Sequence, residues 1–89
     1  MEDDEVLKRL VGCLEGLPPL HSKCNMNNVM EMTMSLVGSI TSYLVTDVNR
    51  RGTLIESDVV VMCGENTYML TISMIDVHGR YLIVDVKGE

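Results

Sequence analysis

The 89-residue sequence predicts a mainly β chain with N-terminal helices, whose five short antiparallel strands form a strongly bent sheet or small open barrel. Three observations point there. Helical spacing of apolar residues is confined to the stretch before Gly38. Beyond it, Thr, Val, Ile, Tyr and Ser dominate, the residues suited to a pleated, half-buried surface. Turn signals then cut that second part into five short runs, and consecutive antiparallel strands of this length curl rather than lie flat.

Residues 3–17, DDEVLKRLVGCLEGL, place Leu7, Leu10, Val11, Leu14 and Leu17 on one helical face, with acids in the first turn where the helix dipole favours them. Gly16 and the Pro18-Pro19 pair end this helix, because proline cannot continue the hydrogen-bond ladder. After the polar link HSKCNMNN, Asn28 with Glu31 forms a capping-box variant, and Val29, Met32, Leu36 and Val37 predict a second helix over 29–37. A strand alternative stays open, since Met30, Met32, Met34 and Leu36 also alternate with Glu31, Thr33 and Ser35.

Breaks are expected at DVNRRG (47–52), near Asp58, at GEN (64–66) and at DVHG (76–79). They leave strands at 40–46, 51–57, 59–63, 67–75 and 80–86. GEN is short enough for a tight hairpin, and Tyr68, Leu70, Ile72 and Met74 alternate with Met69, Thr71, Ser73 and Ile75 beyond it.

Composition narrows the function. Phe and Trp are absent and eight Met are present, so Val, Leu, Ile and Met must fill a small, adaptable core that a partner surface would help to complete. An oligomer or subunit is expected. The net charge of −6 is spread along the chain, with no basic stripe of the kind an autonomous nucleic-acid binder carries. No apolar run approaches a membrane span, and the acidic MEDDEV start is unlike a secretory or mitochondrial leader, so a cytoplasmic or nuclear protein without membrane contact is expected.

Cys13, Cys24 and Cys63 are odd in number and irregular in spacing, unlike a disulfide framework. Cys13, His21 and Cys24 lack the closely paired ligands of a structural zinc site, so no metal and no cofactor is expected. With no Ser-His-Asp arrangement in a supporting context, no phosphate-binding glycine loop and no acid/base pair, no enzymatic activity is expected. The Arg50-Arg51 pair reads either as a phosphate contact or as solvated charge on a hairpin loop. Met30, Met32 and Met34 read as core filling or as a soft docking surface.

Three segments resemble the Sm and Sm-like (LSm) family: SLVGS at 35–39 leading into an alternating strand, GTLIESD at 52–58 with Gly52, Leu54 and Asp58 in the family's first-motif spacing, and VHGRYLIVDV at 77–86, similar to its second motif. The resemblance covers 29–87 and implies an Sm-like domain at 29–89, preceded by a helical extension and linker at 1–28. Gly52 would relieve crowding at a strand bend and Gly79 would permit the final turn. The departures are informative. Asp58 would organise a loop, but Val60 stands where a base-stacking side chain is usual, Met62 where an Asn reads uracil, and His78 where an Arg contacts the base beside Gly79. Valine has no π face and methionine no paired donor and acceptor, so the uridine pocket is expected to be lost. His78 would then be a turn histidine, with stacking on a base the alternative.

What the resemblance implies is a non-catalytic Sm-like subunit, similar to the Gemin-type subunits that help load Sm proteins onto spliceosomal RNA. It would assemble by strand-edge pairing with other Sm-like or scaffold proteins into a ribonucleoprotein-related hetero-oligomer, meeting RNA at most indirectly. In Sm proteins the fourth strand of one protomer pairs with the fifth of the next. By that logic the docking edges here would be Tyr68, Leu70, Ile72 and Met74 on one strand and Leu82, Ile83 and Val84 on the other. Two alternatives stand beside this reading: an atypical RNA-binding member of a heteromeric LSm ring, and a roadblock-type scaffold subunit of a GTPase-regulating complex. The roadblock fold would require a helix after residue 40, where none is expected.

Overall fold

The apolar positions at 7, 10 and 14 do form a helical stripe, and in a computed structural model that describes residues 2–88 they belong to α1, Glu2–Glu15. Leu10 and Leu14 are fully buried, and Leu17 packs against the core just past the end of the helix. After the two prolines comes a two-residue strand that sequence reasoning did not anticipate, β1 at Leu20–His21. Leu20 pairs with Tyr81, and Leu20 is buried, so this strand exists because a tertiary partner lies beside it.

The second helix, α2, runs Met26–Leu36, one turn earlier than expected. Asn25, not Asn28, is the N-cap. Its side chain accepts from the Asn28 backbone N–H at 3.1 Å, while the Asn28 side chain accepts from the Asn25 N–H at 2.9 Å, a reciprocal capping box built from two asparagines. The strand alternative for this segment does not occur. Met26, Val29, Met30 and Thr33 form the buried face, and Thr33 satisfies its hydroxyl by donating to the Val29 carbonyl at 2.8 Å. Met30 is thus core, and Met32 and Met34 are half-buried against it.

Four long strands follow: β2 (Ser42–Arg51), β3 (Leu54–Cys63), β4 (Asn66–Val77) and β5 (Arg80–Gly88). With β1 they form one antiparallel sheet in the order β1-β5-β4-β3-β2, strongly curled into an open half-barrel with the helices at its N-terminal side. The fold class is the expected one, but the strand boundaries differ. Four of the five strands, not all five, follow residue 38, because the expected break at Asp58 is absent and 54–63 is a single strand. Residues 47–51, assigned to a loop, continue β2 as far as Arg51. Among the described residues no helix follows residue 40.

Each turn between long strands is two residues long and carries a positive φ where a hairpin of the primed type needs one. Gly52 (φ 60) and Gly64 (φ 63) open the first two turns, and His78 (φ 51) with Gly79 (φ 80) forms the third. Gly52 therefore serves a hairpin turn rather than the strand bend expected of it.

Two bulges set the faces. Thr46 is the extra residue where Val45 pairs with Val59 and Asp47 with Asp58, and Val84 is the extra residue where Asp85 pairs with Ser73 and Ile83 with Met74. A bulge shifts the side-chain phase by one residue and increases the twist, which suits a sheet that curls. The inner face accordingly reads Tyr43, Val45, Val48 and Arg50 on β2, Ile55 to Cys63 in odd positions on β3, Tyr68 to Asp76 in even positions on β4, and Tyr81, Ile83 and Val86 on β5. Leu10, Leu14, Met26, Val29 and Met30 share one core with Val59, Val61, Leu70, Ile72 and Met74. Residues 1–28, read from sequence as an extension, thus supply part of that core.

Candidate functional site

A sheet that does not close must end in two edges. On one side β5 pairs with β1 only at Arg80 and Tyr81, its later residues have no strand partner on that side among the described residues, and α1 lies against its far end closely enough that a Cβ added to Gly88 would fall 2.8 Å from Leu7 Cδ1. The other edge is β2, which is bare. Of its ten residues only Tyr43 and Val45 are half-buried, and the rest are exposed. The Tyr43 hydroxyl donates to the Asn27 carbonyl at 3.4 Å, which ties the start of the strand to α2 and leaves the remainder without a covering element. Edge strands present unpaired N–H and C=O groups, and the Thr46 bulge together with Asp47, Arg50 and Arg51 are features that discourage indiscriminate pairing there.

The outer face next to this edge carries an apolar row. Leu44 on β2 stands opposite Val60 on β3, which stands opposite Met69 on β4. Leu44 is 59% exposed and Met69 57% exposed. Beside the row lies a depression of about 280 Å³ bordered by Thr46, Asp58, Val60, Met69 and Thr71. Thr46 and Thr71 both engage Asp58: the Thr46 hydroxyl donates to its carbonyl at 3.2 Å, and the Thr71 hydroxyl to Oδ1 at 3.0 Å. The bulged residue therefore recovers a hydrogen bond to the strand it fails to pair with.

The residues at the expected RNA-pocket positions are not brought together. Asp58, Val60 and Met62 share the outer face in the middle and far part of β3, with Met62 opposite Thr67. His78 and Gly79 form the β4–β5 turn, beyond the other end of β3, where Leu54 pairs with Ile75. Leu54 and Met62 are eight residues apart, about 26 Å of extended strand, so the turn and Met62 occupy opposite ends of the sheet. Asp58 organises no loop because it lies mid-strand, exposed, clasped by two threonines.

The expected docking edges also change. Tyr68, Leu70, Ile72 and Met74 are buried on the inner face of β4, an interior strand. Leu70, Ile72 and Met74 are paired with β3 on one side and β5 on the other, so their backbone groups have no free edge to offer. β4 and β5 pair with each other, the arrangement that trans pairing of the two would have to replace. On β5, Leu82 and Ile83 are half-buried, and Val84, the bulged residue, is 53% exposed.

Burial pushes the Cys13 and Cys63 thiols up, away from the thiolate form that makes a cysteine nucleophilic. Among the described residues no three or more His, Cys, Asp and Glu side chains converge to hold a metal ion, and no helix is long and apolar enough to cross a membrane. Arg50 is held at the end of β2 by Tyr81 and Asp76. Sequence reasoning missed this arrangement, as it missed Ser57, a polar residue buried in the apolar row of β3. The second was legible: Ser57 shares the phase of Ile55, Val59 and Val61. No protein-family model matches the chain, and no curated protein or solved structure matches it either.

Proposed function

We propose that this chain is a non-catalytic interaction subunit that binds a partner protein by adding the partner's strand to the β2 edge at Ser42–Arg51. The observation that carries this reading is the bare β2 edge, bordered on the outer face by Leu44 and Met69. A partner strand would satisfy the unpaired backbone groups and cover the apolar row. Completing the burial of Leu44 and Met69, already partly covered, contributes at most about 3–6 kcal/mol together, which reaches only the low end of the roughly 4–15 kcal/mol lost in rigid-body freedom. The interface therefore needs the main-chain ladder, about 0.5–1.5 kcal/mol per bond, and contacts on more than one strand.

The Sm-like likeness at 35–39, 52–58 and 77–86 supports other Sm-like or scaffold proteins as the partners and a ribonucleoprotein-related assembly, such as one acting in spliceosomal particle assembly, as the setting. Assembly would then run through β2, since β4 is paired on both sides and β5 is flanked by β1 at one end and by α1 at the other. The net charge of −6 and the apolar Val60 and Met62 on the outer face argue for RNA being reached through partners. Hydrogen exchange of the chain alone and in its purified native complex tests the reading. Protection gained at 42–51 is expected; protection gained on α1 and α2 with β2 unchanged would overturn it.

A further inference from the structure

The inner face does not fill completely. Where the β2–β3 hairpin meets the loop leading into α2, a pocket of about 190 Å³ remains between the sheet and Met26. Its walls are apolar: Val48, Ile55 and Met74 from three adjacent strands, and Met26 from the helix. A cavity of about 150 Å³ lined by such residues accepts benzene, so this one has room for a single small ring.

Ser57, Arg50 and Tyr81 bring donors to the pocket, which Cys24 and Asn25 also line. Ser57 lines its inner wall, is 1% exposed, and its hydroxyl has no hydrogen-bond partner among the described residues. Val48 stands opposite Ser57 on one side and Ile72 on the other, so the hydroxyl sits within an apolar row that alanine would continue. A hydroxyl left unpaired in such a row is costly to folding unless something else pairs with it. At the mouth, Arg50 donates through Nε to the Gly52 carbonyl at 3.3 Å, through Nη1 to Tyr81 Oη at 3.5 Å and through Nη2 to Asp76 at 3.0 Å. A guanidinium carries five N–H groups, so two remain, and Tyr81, as an acceptor here, keeps its own hydrogen to donate. Asp76 balances the charge of Arg50, so the site is donor-rich without being strongly cationic.

We propose that this pocket binds a compact apolar molecule carrying an acceptor oxygen, a carbonyl or a carboxylate, with the Ser57 hydroxyl and the Arg50–Tyr81 pair as donors. The oxygen would sit on the donor side and the apolar body against Val48, Ile55, Met74 and Met26. The inference rests on the pocket and the unpaired hydroxyl and, although Val48 and Arg50 lie on β2, does not depend on a partner strand adding to that edge.

Benzene, benzamide and benzoate, which share a ring and differ in the oxygen, are the probes, titrated at millimolar concentration into the isolated full chain while backbone amide shifts are recorded. Benzamide or benzoate should move the amides of Ser57 and Tyr81 and bind more tightly than benzene, and the order of those two shows whether charge is preferred. Ser57→Ala should weaken the oxygenated probes about three- to tenfold and leave benzene unchanged, while raising the melting temperature of the free protein because an unpaired hydroxyl is removed. Tyr81→Phe provides a second loss of a donor without touching the core row. Equal binding of all three probes by wild type and Ser57→Ala would make this a plain apolar void, and no shift at Ser57 or Tyr81 with any probe would exclude a site; either result overturns the proposal.

Discussion

Asp58 and Thr71 face each other across β3 and β4, and the Thr71 hydroxyl donates to Asp58 Oδ1 at 3.0 Å on the outer face of the sheet. This cross-strand bond explains why an aspartate, ordinarily a turn residue, sits in the middle of a ten-residue strand: its carboxylate is outward and partnered. Both groups are accessible to water, and cross-strand pairs of this kind contribute about 0.2–1 kcal/mol. Asp58→Ala and Thr71→Val should each lower the urea unfolding free energy within that range. Loss of the native fold in either variant would show that Asp58 organises the structure instead, as its place in the Sm-like motif had suggested.

The His78–Gly79 turn supplies a second expectation. His78 holds φ 51 and Gly79 φ 80, a left-handed region that asparagine and glycine occupy more readily than other residues. His78→Asn should therefore be neutral or stabilising, by up to about 1 kcal/mol, whereas Gly79→Val should destabilise by more than that. A melt in which His78→Asn costs as much as Gly79→Val would mean that His78 makes a contact of its own.

The cysteines give a pH dependence. Burial raises the thiol pKa of Cys13 and Cys63 in the folded state, so the folded protein holds these protons more tightly than the unfolded chain. Stability from this source is fully present below the unfolded thiol pKa, about 8.5, and is lost as the pH rises through the higher folded values. Denaturation midpoints should therefore fall on the alkaline side, and less so in a Cys63→Ala variant. Iodoacetamide should label Cys63 more slowly in the native protein than in urea at the same pH; equal rates would contradict the burial.

These residues also show where sequence legibility ends. The α1 stripe, the 64–66 hairpin and the curled antiparallel sheet were readable because periodicity and turn chemistry act locally. α2 was placed a turn late because Asn25 and Asn28 are both competent caps, and only packing of Met26 decides between them. The break at Asp58 was misread because its partners, Thr46 and Thr71, lie 12 and 13 residues away. β1 was invisible, being two residues held by Tyr81 and Arg80. The β4 half of the candidate edge was misplaced for the same reason: which strand is left unpaired is a property of the whole sheet order.

Strand order also decides what a proline will do, and this separates edge docking from sheet integrity. Ile72 lies in the interior strand, opposite Ser57 on β3 and Val86 on β5, with no exposed side-chain surface. Proline there removes a ladder donor and truncates a core side chain, so Ile72→Pro should abolish folding whatever the partner. Leu44 lies on the bare edge, exposed, with its side chain on the outer face. Leu44→Lys should leave the unfolding midpoint of the isolated chain within experimental error, because its side chain is already in water, and a lysine on an edge strand discourages strand addition. In the native complex the same change should reduce co-purification of partners, and Met69→Lys, two strands away on the same row, should deepen the loss. The pair of results that counts against β2 docking is a folded Leu44→Lys, Met69→Lys double variant that recovers its partners in wild-type yield, which would move the search to the exposed surfaces of α1 and α2.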